Sequence, residues 1–247
     1  MSGWEFWIVA VVAAALTGMG KGGLPIVGML TVPLLSLVIS PVTAAGMMLP
    51  VYVLSDIFGL YAYRKEFDRQ VLLIACVSMT LGVAIGWATA RITPEWAVTV
   101  LVGVISVAFA LNQLLRKPVV AEARAPEWGK GLVWCGMAGF TSFVSHTGAP
   151  PYQVFTLPLG MKKAVFAGTS TIAFAYINAV KLVPYYFLGQ INLQSLEIAA
   201  RLMPVAAAAV FAGVWVVKRL PEKLFFRIIT WSLLVIGLEL IRKGWMG

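Results

Sequence analysis

Residues 18–25 read Gly-Met-Gly-Lys-Gly-Gly-Leu-Pro and interrupt an apolar segment that runs from Trp4 to Ile39. Four glycines weaken any helix that passes through them, and Pro25 lacks the amide proton that would bond to the preceding turn. Lys21 lies within this segment, where a charge is costly in apolar surroundings. Broken backbone at membrane depth is tolerated where it is buried in protein or lines a cavity. The stretch is therefore a candidate binding site as well as a break in a helix.

The composition of the chain is that of a polytopic helical membrane protein. Of its 247 residues, 60% are hydrophobic and 12% are charged, and the mean hydropathy is +0.90. A soluble domain carries about twice that charged fraction. Apolar runs longer than about 18 residues recur, and each can span a bilayer. We therefore predict an all-α, multi-pass protein of the cell membrane, in contact with the lipid bilayer.

The residue counts argue against several kinds of site. The net charge of +9 is expected from the basic loops of a membrane protein rather than from a nucleic-acid interface. Cys76 and Cys135 lie in apolar spans, so no disulfide framework or thiolate site is implied. The single histidine, His146, leaves no multi-histidine metal centre. We predict no metal, no cofactor and no nucleic-acid partner, and a homodimer is an open alternative to a monomer.

The two halves of the chain resemble each other. Residues 21–25, Lys-Gly-Gly-Leu-Pro, align with residues 146–150, His-Thr-Gly-Ala-Pro. Paired positions farther along are Gly46 with Gly168, Asp56 with Asn178, and Tyr63 with Tyr185. Matched glycines, prolines and polar residues inside apolar spans arise by chance less readily than matched apolar residues. The pattern predicts an internal duplication.

The predicted repeats are separated by a polar linker. We assign residues 1–118 to a first transmembrane repeat, 119–130 to a cytoplasmic linker and 131–247 to a second repeat. If each broken segment returns to the side it entered from, most loop lysines and arginines share one face. The positive-inside rule makes that face cytoplasmic and places both termini outside. Each repeat then comprises a Gly/Pro-broken helical hairpin plus three transmembrane helices, with inverted topology between repeats. Hydropathy leaves open whether the broken segments span fully or are re-entrant.

Inversion would bring the two breaks together from opposite sides of the membrane. Each is followed by a helix whose start is marked by a proline, Pro25 or Pro150. The free amides before these prolines carry the positive end of the helix dipole, and two such ends facing one cavity predict an anion site. Side chains add a lysine charge, an imidazole and neutral hydroxyl donors. The predicted substrate ligands are Thr17, Lys21, Gly22, Gly23, Ser142, Ser145, His146, Thr147 and Gly148.

Other roles are open for some of these residues. Glycines such as Gly18 and Gly46, taken singly, are better explained by close helix packing. For Lys21 within the paired motif, function is favoured over packing. His146 is equally consistent with a buried neutral histidine that has one partner.

One acidic residue, Asp56, lies deep within a span. Its repeat mate is Asn178, and Lys181 follows three residues later on the same helical face. We predict that these three residues form a coupling or counter-charge group. Asp56 either neutralises Lys21, carries a proton that couples transport to the proton gradient, or forms a static buried ion pair. Lys181 alternatively snorkels to the membrane interface.

These motifs resemble those of the sulfite exporter TauE/SafE family. The resemblance is carried in the first half by residues 18–25, Pro33 and residues 40–46 (Ser-Pro-Val-Thr-Ala-Ala-Gly). Residues 145–151 (Ser-His-Thr-Gly-Ala-Pro-Pro) and 163–170 (Lys-Ala-Val-Phe-Ala-Gly-Thr-Ser) carry it in the second. It implies a transporter of small organosulfur anions: sulfite, sulfoacetate or related sulfonates, or thiosulfate. The substrate class follows from the resemblance alone, and the family includes proteins linked to export and to uptake.

We predict a secondary transporter that exposes a midplane anion site alternately to each side, with export as the favoured direction and proton coupling as a hypothesis. The chain lacks the phosphate-binding loop Gly-x-x-x-x-Gly-Lys-Ser/Thr, so it shows no nucleotide-driven motor of its own. An anion channel could use the same helix ends. An intramembrane hydrolase would need Ser142 and His146 on broken backbone without an evident orienting acid, so we do not expect an enzyme.

Overall fold

The computed structural model describes residues 3–21, 25–63, 65–115, 124–219 and 222–246. Within these ranges the protein is all-helical, which confirms that part of the prediction. The α-helices are α1 (Trp4–Lys21), α2 (Pro25–Gly28), α3 (Thr31–Leu35), α4 (Pro41–Tyr63), α5 (Arg69–Ala90), α6 (Glu95–Leu115), α7 (Trp128–Ser145), α8 (Ala149–Thr156), α9 (Lys163–Phe187), α10 (Leu193–Arg219) and α11 (Glu222–Met246), and a 3₁₀-helix (Leu157–Leu159) follows α8. The predicted boundary at residue 118 lies outside the described residues.

The protein is a multi-pass membrane protein. Among the described helices, five are long and apolar enough to cross a membrane: α1, α5, α6, most of α9 and the first part of α10. On α5, the exposed side chains Leu73, Val77, Leu81 and Ile85 recur every four residues and form an apolar stripe. Such a stripe on the outside of a helix is explained by contact with lipid.

Both halves of the chain follow the same order of elements. A long helix is followed by short helical pieces, and three long helices complete the half. The first half contains α1, α2 with α3, and then α4 to α6; the second contains α7, α8 with the 3₁₀-helix, and then α9 to α11. The most extensive contacts cross between the halves, since α1 packs on α10, α7 on α5, α4 on α9 and α6 on α11.

The two central helices, α4 and α9, run antiparallel. Gly46 near the start of α4 contacts Gln190 just after α9. Glu66 just after α4 contacts Gly168 near the start of α9. These contacts define the two ends of the helix pair. We call the end with the α9–α10 turn the Gly189 face and the end with the α4–α5 turn the Asp68 face.

Glycines allow the outer helix pairs to approach closely. A Cβ atom on Gly82 of α5 would overlap the backbone of Gly136 on α7, and one on Gly139 would overlap the backbone of Met79. Gly18 of α1 lies against the carbonyl of Ala206 on α10 in the same way. Packing of this kind is typical of helices in membranes. The packing role expected for Gly18 is therefore present, and the position cannot hold a side chain in this arrangement.

Each broken hairpin has one long arm and one arm of short pieces. Helix α1 has 18 residues, which corresponds to about 27 Å. The chain then continues through α2 and α3, of four and five residues. Helix α7 also has 18 residues and is followed by the eight-residue α8. The predicted helix start at Pro150 agrees with the structure, since α8 begins one residue before it, and α2 is described from Pro25 onward.

Candidate functional site

The C-terminal ends of α1 and α7 meet the middle of α4 and α9. Lys21 is the last residue of α1, and its ammonium forms an ion pair with one carboxylate oxygen of Asp56 on α4. The side-chain amide of Asn178 on α9 donates to the other oxygen, at 2.7 Å. Asp56 is 3% exposed and Lys21 is 25% exposed. Both oxygens of this buried carboxylate therefore have partners, and the carboxylate joins α1 to both central helices.

His146 ends α7 in a left-handed conformation, with φ 56° and ψ 20°. This backbone turns the chain into the second break and places the imidazole between α4 and α9. Its Nε2 atom is 3.0 Å from the carbonyl oxygen of Ala45, and its Nδ1 atom is 2.7 Å from Nζ of Lys181. A carbonyl only accepts hydrogen bonds, so we assign the ring proton to Nε2. Nδ1 then accepts a hydrogen bond from Lys181.

Lys181 is completely buried on α9. Its ammonium donates to the backbone carbonyl and to the hydroxyl of Ser142, both at 3.0 Å, and to Nδ1 of His146. Three neutral acceptors thus use its three donors. Within the described part of the chain, no carboxylate lies within ion-pair distance of Lys181. The alternative that Lys181 snorkels to the interface is wrong, because its side chain has no exposed surface.

Tyr52 connects the two broken ends, and the sequence analysis did not identify it. Its ring stacks on the imidazole of His146 with centroids 4.6 Å apart, and Nζ of Lys21 lies 5.6 Å from the same ring centroid. Its hydroxyl donates to the carbonyl of Gly28 on α2, at 2.8 Å. Its spacing in the sequence could have identified it, because Tyr52 lies one helical turn before Asp56 and shares its face of α4.

Tyr185 fixes the last turn of α7 from the side of α9. Its hydroxyl donates to the carbonyl of Phe143, and its ring meets the Phe143 ring edge-on with centroids 5.2 Å apart. Tyr185 lies one turn after Lys181, so one face of α9 carries Asn178, Lys181 and Tyr185. This face supplies the second half of the site.

Several predicted ligands bond to one another at the breaks. The hydroxyl of Thr17 is 3.0 Å from that of Thr31, and the hydroxyls of Ser145 and Thr147 are 2.6 Å apart. A Cβ atom on Gly148 would lie 2.6 Å from the carbonyl oxygen of Ala138, so this glycine permits a close backbone approach. In this arrangement these residues hold the broken ends in place. Gly22 and Gly23 lie outside the described residues.

The structure therefore brings together one polar cluster from four helices: Lys21, Asp56, Ser142, His146, Asn178 and Lys181. With both lysines protonated and His146 neutral, the cluster carries two positive charges and one negative charge. An excess positive charge in a water-poor interior is stabilised by an anion. The arrangement is thus suited to binding a small anion.

Ser142 and His146 do not form the serine–histidine pair that a hydrolase of this type would need. The Ser142 hydroxyl accepts from Lys181, and the two imidazole nitrogens contact Ala45 and Lys181. A serine nucleophile needs a base within hydrogen-bond reach that can take its proton. Neither imidazole nitrogen makes that contact with Ser142 here.

Comparison with known families gives one match. The family described as Sulfite exporter TauE/SafE matches residues 6–240, which include both broken hairpins and every residue of the polar cluster. No curated protein and no solved structure matches the chain significantly. Because the family match covers nearly the whole chain, the protein belongs to the sulfite exporter TauE/SafE family.

Proposed function

We propose that the protein is a secondary transporter that exports a small sulfur-containing anion across the cytoplasmic membrane by alternating access. The substrate class is sulfite, sulfoacetate or a related sulfonate, or thiosulfate. Family membership supports transport of this class of compound. The observation that carries the proposal is the ammonium of Lys181, which is fully buried and donates only to neutral groups.

The chemistry of such an anion matches the cluster. A sulfite or sulfonate group has three oxygens that accept charge-assisted hydrogen bonds from lysines and hydroxyls. The anion would bind between Lys21 and Lys181, with the hydroxyl of Ser142 as a further donor. The ammonium of Lys21 is already paired with Asp56. The anion therefore has to displace the Asp56 carboxylate or share the Lys21 ammonium with it. Binding of substrate would therefore release Asp56 from its ion pair.

Alternating access is supported by the way the halves pack. The central helices run antiparallel, and each half places its first long helix against the other half, as α1 on α10 and α7 on α5. These features are expected from repeats of inverted topology. Lys65, Arg69, Lys130 and Lys162 lie in or beside the turns of the Asp68 face. We therefore take that face as cytoplasmic and place both termini outside.

Proton coupling would follow from the release of Asp56. Without Lys21 as partner, the carboxylate keeps the Asn178 amide and faces Lys181 and Tyr52 from the neighbouring turns. A buried carboxylate with fewer positive neighbours takes up a proton more readily. We propose that Asp56 carries this proton, whereas a static ion pair predicts none. Substrate-driven proton flux in proteoliposomes distinguishes these, and its absence at every working pH would leave transport uncoupled from protons.

The test of anion binding is a thermal-unfolding screen of the purified protein. Sulfite, thiosulfate, sulfoacetate and sulfate are added separately, since a ligand of the folded state at 100 times its Kd stabilises by about 2.7 kcal/mol. At least one of the first three should raise the unfolding midpoint. Lys181→Met should remove this shift, while Lys130→Met, which changes an exposed lysine paired with Glu127, should retain it. A full shift in Lys181→Met, or none in the unmodified chain, would refute the proposal.

A further inference from the structure

Two reciprocal contacts close the ends of the central helix pair. At the Gly189 face, a Cβ atom on Gly46 would lie 2.7 Å from both the Cβ and the carbonyl oxygen of Gln190. At the Asp68 face, a Cβ atom on Gly168 would overlap the carbonyl oxygen of Glu66. In each case the turn after one central helix lies on the glycine of the other. Only glycine leaves room for this approach of the backbone.

The two glycines occupy equivalent positions in the two halves of the sequence. Gly46 is the sixth residue of α4, and Gly168 is the sixth residue of α9. Each lies about one and a half turns from the start of its helix, which is the end that meets the partner turn. The same type of glycine–turn contact thus occurs twice, at opposite ends of the cluster formed around Asp56 and Asn178.

A cavity of about 180 Å³ adjoins the contact at the Gly189 face. Its polar lining consists of Thr43, Gln190, Asn192, Gln194 and Ser195. These are hydroxyl and amide groups, and the lining includes no carboxylate that would repel an anion. Met47 contributes to the apolar part, one turn after Thr43 on α4. The cavity is therefore suited to an anion that approaches from this face.

The cavity lies close to the polar cluster along α4. Between Thr43 and Met47 lies Ala45, whose carbonyl oxygen is bonded to Nε2 of His146. Gly46 is the next residue. The imidazole of His146 is therefore bonded to the backbone directly beside the Gly46–Gln190 contact.

The contact at the Asp68 face is held more tightly. The hydroxyl of Thr169, the residue after Gly168, accepts a hydrogen bond of 2.9 Å from the amide of Asp68. Thr169 is completely buried. This bond ties the α4–α5 turn to the start of α9, and no corresponding bond joins the α9–α10 turn to the start of α4 among the described residues.

We propose that the Gly46–Gln190 contact is the outer gate of the transport path, that the Gly168–Glu66 contact is its inner gate, and that the cavity is the outer vestibule. This inference rests on the proposed transport function and adds the residues that open and close the path. In alternating access only one gate opens at a time. In this structure both contacts are made, and the vestibule lies on the outer side of the outer gate.

Cysteine labelling tests the gates without any substrate. Cys76 and Cys135 are first replaced by serine, and a reporter is placed at Thr43→Cys in the vestibule or at Val165→Cys near the inner gate. A water-soluble maleimide is applied to the protein in open membrane fragments. We expect Thr43→Cys to react several-fold faster than Val165→Cys. Equal rates, or the reverse order, would overturn the assignment of the gates.

Glycine substitutions test the same assignment in the reporter chains. Gly46→Ala should hold the outer gate open and raise the labelling rate at Thr43→Cys, and Gly168→Ala should lower it by favouring the opposite state. Gly136→Ala is the matched control, because its Cβ would meet its nearest atom at 3.7 Å, an ordinary contact. The proposal would be overturned if the labelling rate at Thr43→Cys changed in the same direction in both variants, or changed in neither. If either variant does not fold, the comparison of the two reporters decides.

The labelling experiments and the anion screen fail separately. Labelling in the absence of ligand reports the gates alone, whereas the unfolding midpoint reports anion binding. If the labelling is as expected but no sulfur anion binds, the gate assignment is supported and the proposed substrate is refuted. If anions bind normally but the two reporters are labelled equally, the anion-transport proposal is supported and the gate assignment is refuted.

Discussion

Asn178 of α9 donates a hydrogen bond of 2.7 Å to the carboxylate of Asp56 on α4, and the two residues occupy aligned positions in the two halves of the sequence. The bond joins the two central helices near their middle. One half supplies a carboxylate and the other a neutral amide, so the pair brings a single negative charge to a cluster with two lysines. The two aligned positions thus carry side chains of different charge, an anionic carboxylate and a neutral amide.

This asymmetry predicts the effect of Asn178→Asp. The change puts a second carboxylate beside Asp56 and cancels the excess positive charge of the cluster. We expect affinity for sulfite or sulfonate to fall by at least about tenfold, because a second buried negative charge repels the anion. The shift of the unfolding midpoint with ligand concentration measures this. Asn178→Ala is the control, since it removes the hydrogen bond without adding charge and should weaken binding less. Equal losses in the two variants would contradict the electrostatic explanation.

Lys21→Met should abolish anion binding and also destabilise the folded protein. Removing one partner of a buried ion pair typically costs about 3–5 kcal/mol, and the lower end or less is expected here because Lys21 is 25% exposed. The double variant Lys21→Met with Asp56→Asn removes the unpaired carboxylate. It should regain most of the lost stability and still bind no anion. Thermal unfolding with and without sulfite measures both effects.

The double variant separates two roles of Lys21. If it recovers anion binding together with stability, Lys21 acts only as a structural partner of Asp56. If Lys21→Met alone binds sulfite normally, the anion site does not include this lysine. Either outcome would move the proposed site toward Lys181.

Tyr52 should contribute to the site through its ring more than through its hydroxyl. Tyr52→Phe keeps the stack on His146 and loses the bond to the Gly28 carbonyl, which is expected to cost about 1 kcal/mol of stability. Tyr52→Leu also loses the stack and the contact with Lys21, and we expect a clearly larger loss of anion affinity. Thermal unfolding and anion titration of both variants give the comparison. Tyr186→Leu, at a largely exposed tyrosine, is the control for general effects of tyrosine loss.

The sequence predicted the helical membrane fold and the short helical pieces that follow α1 and α7, because their signals are local. Glycine, proline and a lysine inside an apolar run indicate a broken helix, whatever the tertiary structure around it. The pairing of Lys21 with Asp56 was one of three alternatives for Asp56, and the ion pair is present. The proton-flux measurement in proteoliposomes tests whether Asp56 also carries a proton.

The surroundings of Lys181 and Tyr52 could not be predicted in the same way. Hydropathy reports the composition of a segment but not which side of its helix is covered by other helices. Snorkelling was therefore open for Lys181, although the packing of α7 against it leaves no path to the interface. Tyr52 acquires its role from His146, which lies in the other half of the sequence. Spacing within α4 placed it beside Asp56 but not beside that ring.

His146 gives a prediction that separates backbone from side chain. Its φ of 56° is costly for residues with a branched Cβ and free of strain for glycine. We expect His146→Gly to avoid backbone strain but to lose some stability, because it removes the acceptor for Lys181 and the ring stacked on Tyr52. Anion binding is lost with the ring. His146→Val should lose binding and in addition about 1–3 kcal/mol of stability, because valine is strained in this conformation. Thermal unfolding and sulfite titration distinguish the two variants. Equal stability of His146→Gly and His146→Val would show that the left-handed turn is not maintained in the membrane-embedded protein, and retained binding in His146→Gly would exclude the imidazole from the anion site.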